Sequence, residues 1–328
     1  MLAIAPLPAP PASIPSPSRN AWHLGPFSLR AYALCILAGV FIAVWWTSRR
    51  YRARGGDGDT VLDVAVLSVP VGILGARLYH VITSPDAYFG PGGDPVRIVQ
   101  IWRGGLGIWG GVAAGLAAAA WLMRRRGLRL APLTDAVAPA LLVAQAVGRV
   151  GNWFNQELFG APTTLPWGLE IDDAHLPDGC APGTLFHPTF LYEALWNLAG
   201  AALLVLLERR LRRRDGTTGG RLIWAYLMVY TVGRAWIEYL RVDEAAVVLG
   251  LRLNEWTAMI VFLVGLVGFV AASRRGADDA IARRGPESGP EPDAVGSDDE
   301  DQDATLEGPH GDTDGGSGDD DRARDGNE

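Results

Sequence analysis

The sequence predicts an all-α integral membrane protein with seven transmembrane helices, the N-terminus outside, the C-terminus cytoplasmic and a disordered acidic tail. Three observations predict it. Seven apolar runs each approach the roughly 20 residues a helix needs to cross a bilayer. Arginine clusters follow the first, third, fifth and seventh runs, and loops on the opposite side are nearly free of Arg. Such a bias places the Arg-rich side in the cytoplasm. The third observation is a sharp change of composition at Gly276, after which Asp, Glu, Gly and Ser dominate.

Residues 1–24 read as a flexible leader rich in Pro, without the basic start of a signal peptide. The apolar runs cover residues 29–48, 61–82, 104–123, 132–150, 188–207, 222–240 and 254–272. Arg49, Arg50, Arg52 and Arg54 follow the first; Arg124, Arg125, Arg126 and Arg129 the third; Arg209 to Arg214 the fifth; Arg274 and Arg275 the seventh. Residues 25–275 therefore form one seven-span domain. Residues 276–328 bury too little apolar surface to offset their ordering entropy, so they read as a disordered cytoplasmic tail. All 29 basic residues are Arg. The two cysteines, Cys35 and Cys180, supply no disulfide framework. No metal-ligand spacing and no nucleic-acid signature is present, and no cofactor is expected.

The organising stretch is residues 148–160, where a cation, three amides, a carboxylate and three glycines fall at the end of an apolar run. Polar groups at the mouth of a hydrophobic helix cost free energy unless they are compensated. A helix terminus with local caps is the plain reading of it; a ligand site is the other. The topology then places further polar residues at one depth. With about 1.5 Å rise per residue, Arg234 lies roughly 18 Å along the sixth run and Arg77 roughly 24 Å along the second. Arg149, Tyr32, Trp109, His187, Tyr192 and Glu193 also fall in the outer half of the bilayer. Three arginines at headgroup depth, Arg77, Arg149 and Arg234, suit an anion such as phosphate, which guanidinium binds bidentately. Arg234 and Glu238 share a helix face and can pair. Glu157 can be the partner of Arg149. Gly104-Gly105 and Gly110-Gly111 permit close helix packing, or approach of a headgroup, with packing favoured.

The stretch Gly148-Arg149-Val150-Gly151-Asn152-Trp153-Phe154-Asn155-Gln156-Glu157-Leu158-Phe159-Gly160 resembles the signature G-R-x-G-N-F-x-N-x-E-x-x-G of bacterial prolipoprotein diacylglyceryl transferases, with Trp153 in place of Phe. The resemblance extends to Gly75-Ala76-Arg77, Trp102 to Leu106, His187-Pro188-Thr189, Leu191-Tyr192-Glu193, and Tyr230 through Arg234 and Glu238. It implies a multi-pass enzyme of the bacterial plasma membrane, with its active site toward the outer leaflet. It also implies transfer of the diacylglyceryl group of phosphatidylglycerol to the lipobox cysteine of a preprolipoprotein, with membrane lipids and lipobox peptides as partners. Carried over by position, Arg149, Asn152, Glu157, Gly160, Tyr230, Arg234, Glu238 and Tyr32 are the functional candidates.

One departure bears on the chemistry. The family often has a His within S-F-H-G-G, to which a base role has been assigned. The matching segment here is Gly107-Ile108-Trp109-Gly110-Gly111. His187, at similar depth, is the substitute base candidate; exit of the proton through Glu157, Glu238 or the departing phosphate needs no His. The expected assignment is Arg149, Arg234, Glu157, Glu238 and His187 as catalytic residues. Arg149, Asn152, Gly160, Tyr32, Arg77 and Tyr230 are expected to bind the lipid. A transporter or flippase for an anionic lipid is the competing reading, since it too uses intramembrane arginines and glycine-interrupted spans. Such proteins usually show internal repeats and polar residues near the midplane, and neither is found here.

Overall fold

The computed structural model describes residues 13–24, 27–241 and 247–275. The acidic tail and the first twelve residues of the leader lie outside the described residues. A short antiparallel hairpin, β1 (Ala21–Leu24) with β2 (Phe27–Arg30), leads into helix α1 (Ala31–Arg52). Helix α2 (Gly58–Thr83) starts where the Asp57 side chain accepts the Asp59 amide at 3.0 Å. A one-turn helix α3 (Asp86–Phe89) and two 3-10 turns lead to α4 (Ile108–Arg125), which is followed by α5 (Leu130–Asn155). The connection after α5 holds strands β3 (Leu169–Glu170) and β4 (Leu185–Phe186). Helices α6 (Thr189–Asp215) and α7 (Arg221–Leu240) follow, then the hairpin β5 (Val247–Val248) with β6 (Leu251–Arg252), and finally α8 (Leu253–Arg274).

Among the described residues five helices, α1, α2, α5, α6 and α8, are long and apolar enough to cross a membrane. Helix α4 is the shortest of the long helices at 18 residues and ends on Arg124 and Arg125, and α7 carries Arg221, Arg234 and Glu238. Large apolar side chains stand exposed along several helices, among them Phe41 on α1, Leu74 on α2 and Val267 on α8. A water-soluble chain would bury such residues; hydrocarbon solvates them.

Several helix ends depart from the apolar runs. Helix α6 continues past residue 207 to Asp215, and α5 continues past 150 to Asn155. Arginine is a good helix former, so the Arg209 to Arg214 segment stays helical until Gly216 adopts φ 74°. Helix α4 begins at Ile108 rather than 104, because Gly104 and Gly105 take φ of 84° and 71°; that glycine pair therefore lies before the helix and not within the helix–helix contact expected of it. Helices α2 and α4 touch through glycine. A Cβ on Gly75 would lie 2.6 Å from the Gly110 carbonyl oxygen, so Gly110 serves packing, the favoured of its two readings.

The packing pairs are α1 with α5, α2 with α4, α5 with α6, and α7 with α8. One core joins α5, α6 and α7 through Leu142, Leu204 and Leu222; another joins α1, α2, α4 and α5 through Tyr51, Val64, Met123 and Leu133. At the Arg-rich end, Arg50 and Arg54 each reach Glu208 at 2.6 Å. The Arg54 side chain is only 3% exposed, so this arginine belongs to the interior and not to a lipid headgroup layer. Burial holds its guanidinium below the usual arginine range, and Glu208 opposes that effect.

Beside this cluster, fully buried Asp135 of α5 caps a different helix. Its carboxylate accepts the amides of Gly220 (2.8 Å), Leu222 (2.9 Å) and Ile223 (3.3 Å) at the start of α7. The start of a helix leaves donors unsatisfied and favours negative charge. Asp135→Ala is expected to destabilise the protein by about 2–4 kcal/mol, since several buried amides lose their acceptor. Asp135→Asn, which keeps an acceptor oxygen, should lose less. Thermal unfolding in detergent reads the difference.

A third, smaller core lies over the other end of α5. Leu169, Ile171 and Phe186 pack with Ile14, Trp153, Phe159 and Phe190. Residues 13–17, counted with the leader on sequence grounds, dock here. Ile14 pairs with Leu169, the Trp153 indole donates to the Pro15 carbonyl at 3.1 Å, and Ser13 donates to Glu170.

Candidate active site

The signature stretch is built from the end of α5. The helix stops where Gln156 takes the left-handed conformation, φ 51° and ψ 46°. The Gln156 amide donates to the Trp153 carbonyl and the Glu157 amide to the Asn152 carbonyl, both at 3.2 Å. These are the two bonds of a Schellman terminus. A non-glycine residue in this conformation is strained. The Gln156 side chain offsets the strain by exchanging two bonds with Asp172: Nε2 donates to Oδ2 at 2.5 Å and Oε1 accepts the amide at 2.8 Å. The chain reversal turns Glu157 back onto the helix it has just left. Glu157 Oε1 accepts from Asn152 Nδ2 at 2.8 Å and Asn155 Nδ2 at 3.1 Å. The motif is thus a helix terminus with local caps, as its plainest reading had it, and those caps also shape the site.

Arg149 pairs with a different acid. Its Nε lies 2.5 Å from Glu193 Oε2, and its Nη1 donates to Asn152 Oδ1 at 3.3 Å. Glu193 stands one turn into α6. Its other oxygen, Oε1, lies 3.8 Å from Arg234 Nη1 on α7. Arg234 Nη2 in turn pairs with Glu238 Oε2 at 2.7 Å, the i,i+4 contact that spacing predicts. Glu238 is fully buried. Arg252 Nη1 and Arg241 Nη1 stand 3.4 Å and 3.8 Å from its oxygens, and Asn254 Nδ2 donates to it at 2.9 Å. Three helices, α5, α6 and α7, therefore bring two guanidiniums to one carboxylate. The cations remain reachable, with side chains 22% and 21% exposed, while the Glu193 side chain is 9% exposed and lies behind them.

The remaining candidates fall around this cluster or away from it. Gly160 sits where three segments meet: its amide donates to the His187 carbonyl at 2.9 Å, and a Cβ would lie 2.8 Å from His187 Cβ and 3.0 Å from the Leu240 carbonyl oxygen. No other residue fits there without a shift. His187 is half-buried, with Nδ1 3.3 Å from the Tyr192 hydroxyl, which also accepts from the Trp167 indole at 3.0 Å. Tyr32, in the first turn of α1, packs against Gly151, where a Cβ would come within 2.7 Å of its ring. Tyr230, one turn before Arg234, stacks on Tyr226 with ring centroids 5.9 Å apart.

Arg77 is held elsewhere. It is buried and donates to the Tyr88 hydroxyl (2.7 Å), the Gly105 carbonyl (2.9 Å) and the Gln100 carbonyl (2.7 Å). Those neutral acceptors belong to the segment between α2 and α4, which Arg77 fastens. The expected grouping of three arginines therefore reduces to Arg149 with Arg234. Trp109 is the second residue of α4 and half exposed. Sequence reasoning placed Glu193 at the right depth but gave it no role. The available signal was a carboxylate one turn inside an apolar helix, which requires a partner. Arg241, Arg252 and Asn254 were not singled out for the site at all.

The family model described as prolipoprotein diacylglyceryl transferase matches residues 19–271. The chain belongs to the prolipoprotein diacylglyceryl transferase family. A relative from Streptomyces coelicolor, phosphatidylglycerol–prolipoprotein diacylglyceryl transferase 2, is 54% identical over 265 residues, covering 80% of this chain and 82% of its own. The phosphatidylglycerol–prolipoprotein diacylglyceryl transferase of Bifidobacterium adolescentis is 52% identical over 276 residues, covering 81% of each chain. That of Rhodococcus jostii is 49% identical over 292 residues, covering 85% and 80%. In this member of the family, the signature arginine and the α7 arginine are tied together through the α6 glutamate.

Proposed function

We propose that the protein transfers the diacylglyceryl group of phosphatidylglycerol to the lipobox cysteine of preprolipoproteins, forming a thioether and releasing glycerol phosphate. The observation that carries this reading is the pair of partly exposed guanidiniums, Arg149 and Arg234, converging from two helices. An anionic phosphodiester suits that pair, and family membership supplies the acceptor. The protein crosses the bacterial plasma membrane seven times, α4 and α7 included, with the N-terminus outside and the Arg-rich helix ends in the cytoplasm. The site then opens toward the outer leaflet.

In the reaction the peptide thiol loses its proton to His187, and the thiolate attacks the glyceryl carbon bonded to phosphate. The sulfur–carbon bond forms as the carbon–oxygen bond breaks. The leaving group changes from a phosphodiester to a phosphomonoester and gains negative charge. Arg149 and Arg234 stabilise that charge as it develops, which is the differential binding that catalysis requires. Asn152 and Glu157 hold the end of α5 in shape, and Asn152 steadies Arg149 directly. Gly160 brings the His187 backbone against the signature. Tyr32, Tyr230 and Arg77 shape the walls, Arg77 through the segment it fastens.

The test is a transfer assay in detergent with phosphatidylglycerol and a lipobox peptide containing a single Cys, read by mass spectrometry. Wild type should yield the diacylglyceryl adduct. His187→Ala should lower the rate by about a hundredfold or more, the usual range for loss of a general base. An unchanged rate and pH profile in that variant would move the base to Glu157. No adduct from folded wild type with competent substrates would favour lipid binding or transport.

A further inference from the structure

Glu193 is not needed to explain why the site binds an anion; by charge alone it opposes binding. Yet it sits within contact of both guanidiniums, one carboxylate oxygen directed to each, at 2.5 Å from Arg149 and 3.8 Å from Arg234. It is the better buried partner in both contacts, so a ligand reaching the exposed side of the arginines meets them with Glu193 behind. The residue stands on helix α6, whose first turn is pinned by the Thr189 hydroxyl donating to the Leu158 carbonyl, so its backbone position is set.

We infer that Glu193 is a built-in counter-ion that matches the two-arginine site to a singly charged phosphodiester and hastens departure of the doubly charged phosphomonoester. This rests on the proposed transfer reaction for its biological meaning. The lipid phosphodiester carries one negative charge; the glycerol phosphate left after carbon–oxygen cleavage carries close to two at neutral pH, with a second ionisation near 6. Two arginines alone favour the product over the substrate, since attraction grows with ligand charge. Such a site stalls on its own product. A fixed carboxylate at contact distance from both cations repels the second ligand charge as well as the first, and so offsets part of what the two guanidiniums gain from it. The transition state, where charge is still partial, keeps most of the benefit. Glu238 does not duplicate this function, because it contacts Arg234 and not Arg149 and is committed to Arg241, Arg252 and Asn254 as well.

The experiment compares two soluble competitors at pH 7.5, where both are fully ionised: glycerophosphoglycerol, a singly charged diester, and glycerol phosphate, a doubly charged monoester. Their binding to the detergent-solubilised full chain is measured directly by calorimetry, without turnover, so the result stands apart from whether transfer itself is observed. Glu193→Gln should shift the ratio of the two affinities at least tenfold toward glycerol phosphate. In the transfer assay it should lower kcat more than it changes KM for the lipid, with a burst of adduct followed by slow steady turnover. Glu193→Asp, which keeps the charge, should hold the wild-type ratio. An unchanged ratio in Glu193→Gln would overturn the inference. If that variant does not fold, wild type decides: a tenfold or greater preference for glycerol phosphate over the diester would overturn it, and no such preference supports it.

Discussion

Arg234→Ala is expected to lower diacylglyceryl transfer by a thousandfold or more while the protein still extracts from membranes as a folded species. The guanidinium lies between two carboxylates, 2.7 Å from Glu238 and 3.8 Å from Glu193, and keeps an exposed side toward a ligand. Removing one preorganised donor from a site of developing charge costs about 10²–10³ in rate. Here the same change also releases Glu193 from one of its two cations, so that its charge repels the lipid phosphate more strongly. Arg234→Lys separates the two contributions. Lysine keeps the charge but cannot span both carboxylates with a planar fork, so a loss of about tenfold to a hundredfold is expected. Initial rates from the mass-spectrometric assay, with elution from a sizing column as the control for folding, check both variants. Activity in Arg234→Ala near that of wild type would remove this residue from the chemistry.

Glu238→Ala should act first on folding. Its carboxylate is fully buried and stands within 4 Å of Arg234, Arg241 and Arg252, while accepting from Asn254 at 2.9 Å. Removing one partner from a buried ionic group typically costs about 3–5 kcal/mol, because the charges left behind stay desolvated. For a domain of this size that corresponds to a fall in Tm of about 10 °C. The loss should be largest at the junction of α7 and α8, since Arg252 precedes α8 and also donates to the Glu238 carbonyl at 2.7 Å. Glu238→Gln retains the shape and one acceptor oxygen, so it should unfold at an intermediate temperature and transfer at a reduced rate. Differential scanning fluorimetry of the three proteins in one detergent ranks them. If Glu238→Ala melted with wild type, the buried cluster would not be holding α7 to α8.

Helix existence and much of the site were open to reading from the chain because both rest on local rules. A run of apolar residues long enough to span hydrocarbon must satisfy its own backbone, and helix is the way a single segment does so. The ends were harder. Hydropathy falls at residue 150 and Gly151 follows, yet the hydrogen-bond ladder continues through Gly151, Asn152 and Asn155 until Gln156 reverses the chain. The same holds at Arg209 to Arg214, where charge ends the apolar run but not the helix. Arg234 with Glu238 was visible as a pair because four residues bring two side chains to one helix face.

What the sequence determined by itself was the set of long apolar helices, the signature at residues 148–160, the family, and the presence of charges that need compensation. Tertiary structure decided which charge compensates which. Arg149 had Glu157 as its nearest acid in sequence and pairs with Glu193 from another helix. Arg77 lay at the depth of Arg149 and Arg234, yet it is bound to carbonyls of the segment between α2 and α4. Arg50 and Arg54 belonged to a cluster that marks topology, yet both are folded inward onto Glu208. Depth along a helix follows from counting residues at a fixed rise, whereas azimuth and partner depend on how helices pack. Charge-assisted hydrogen bonds need contact distance and alignment, and only packing brings a particular pair of side chains into both.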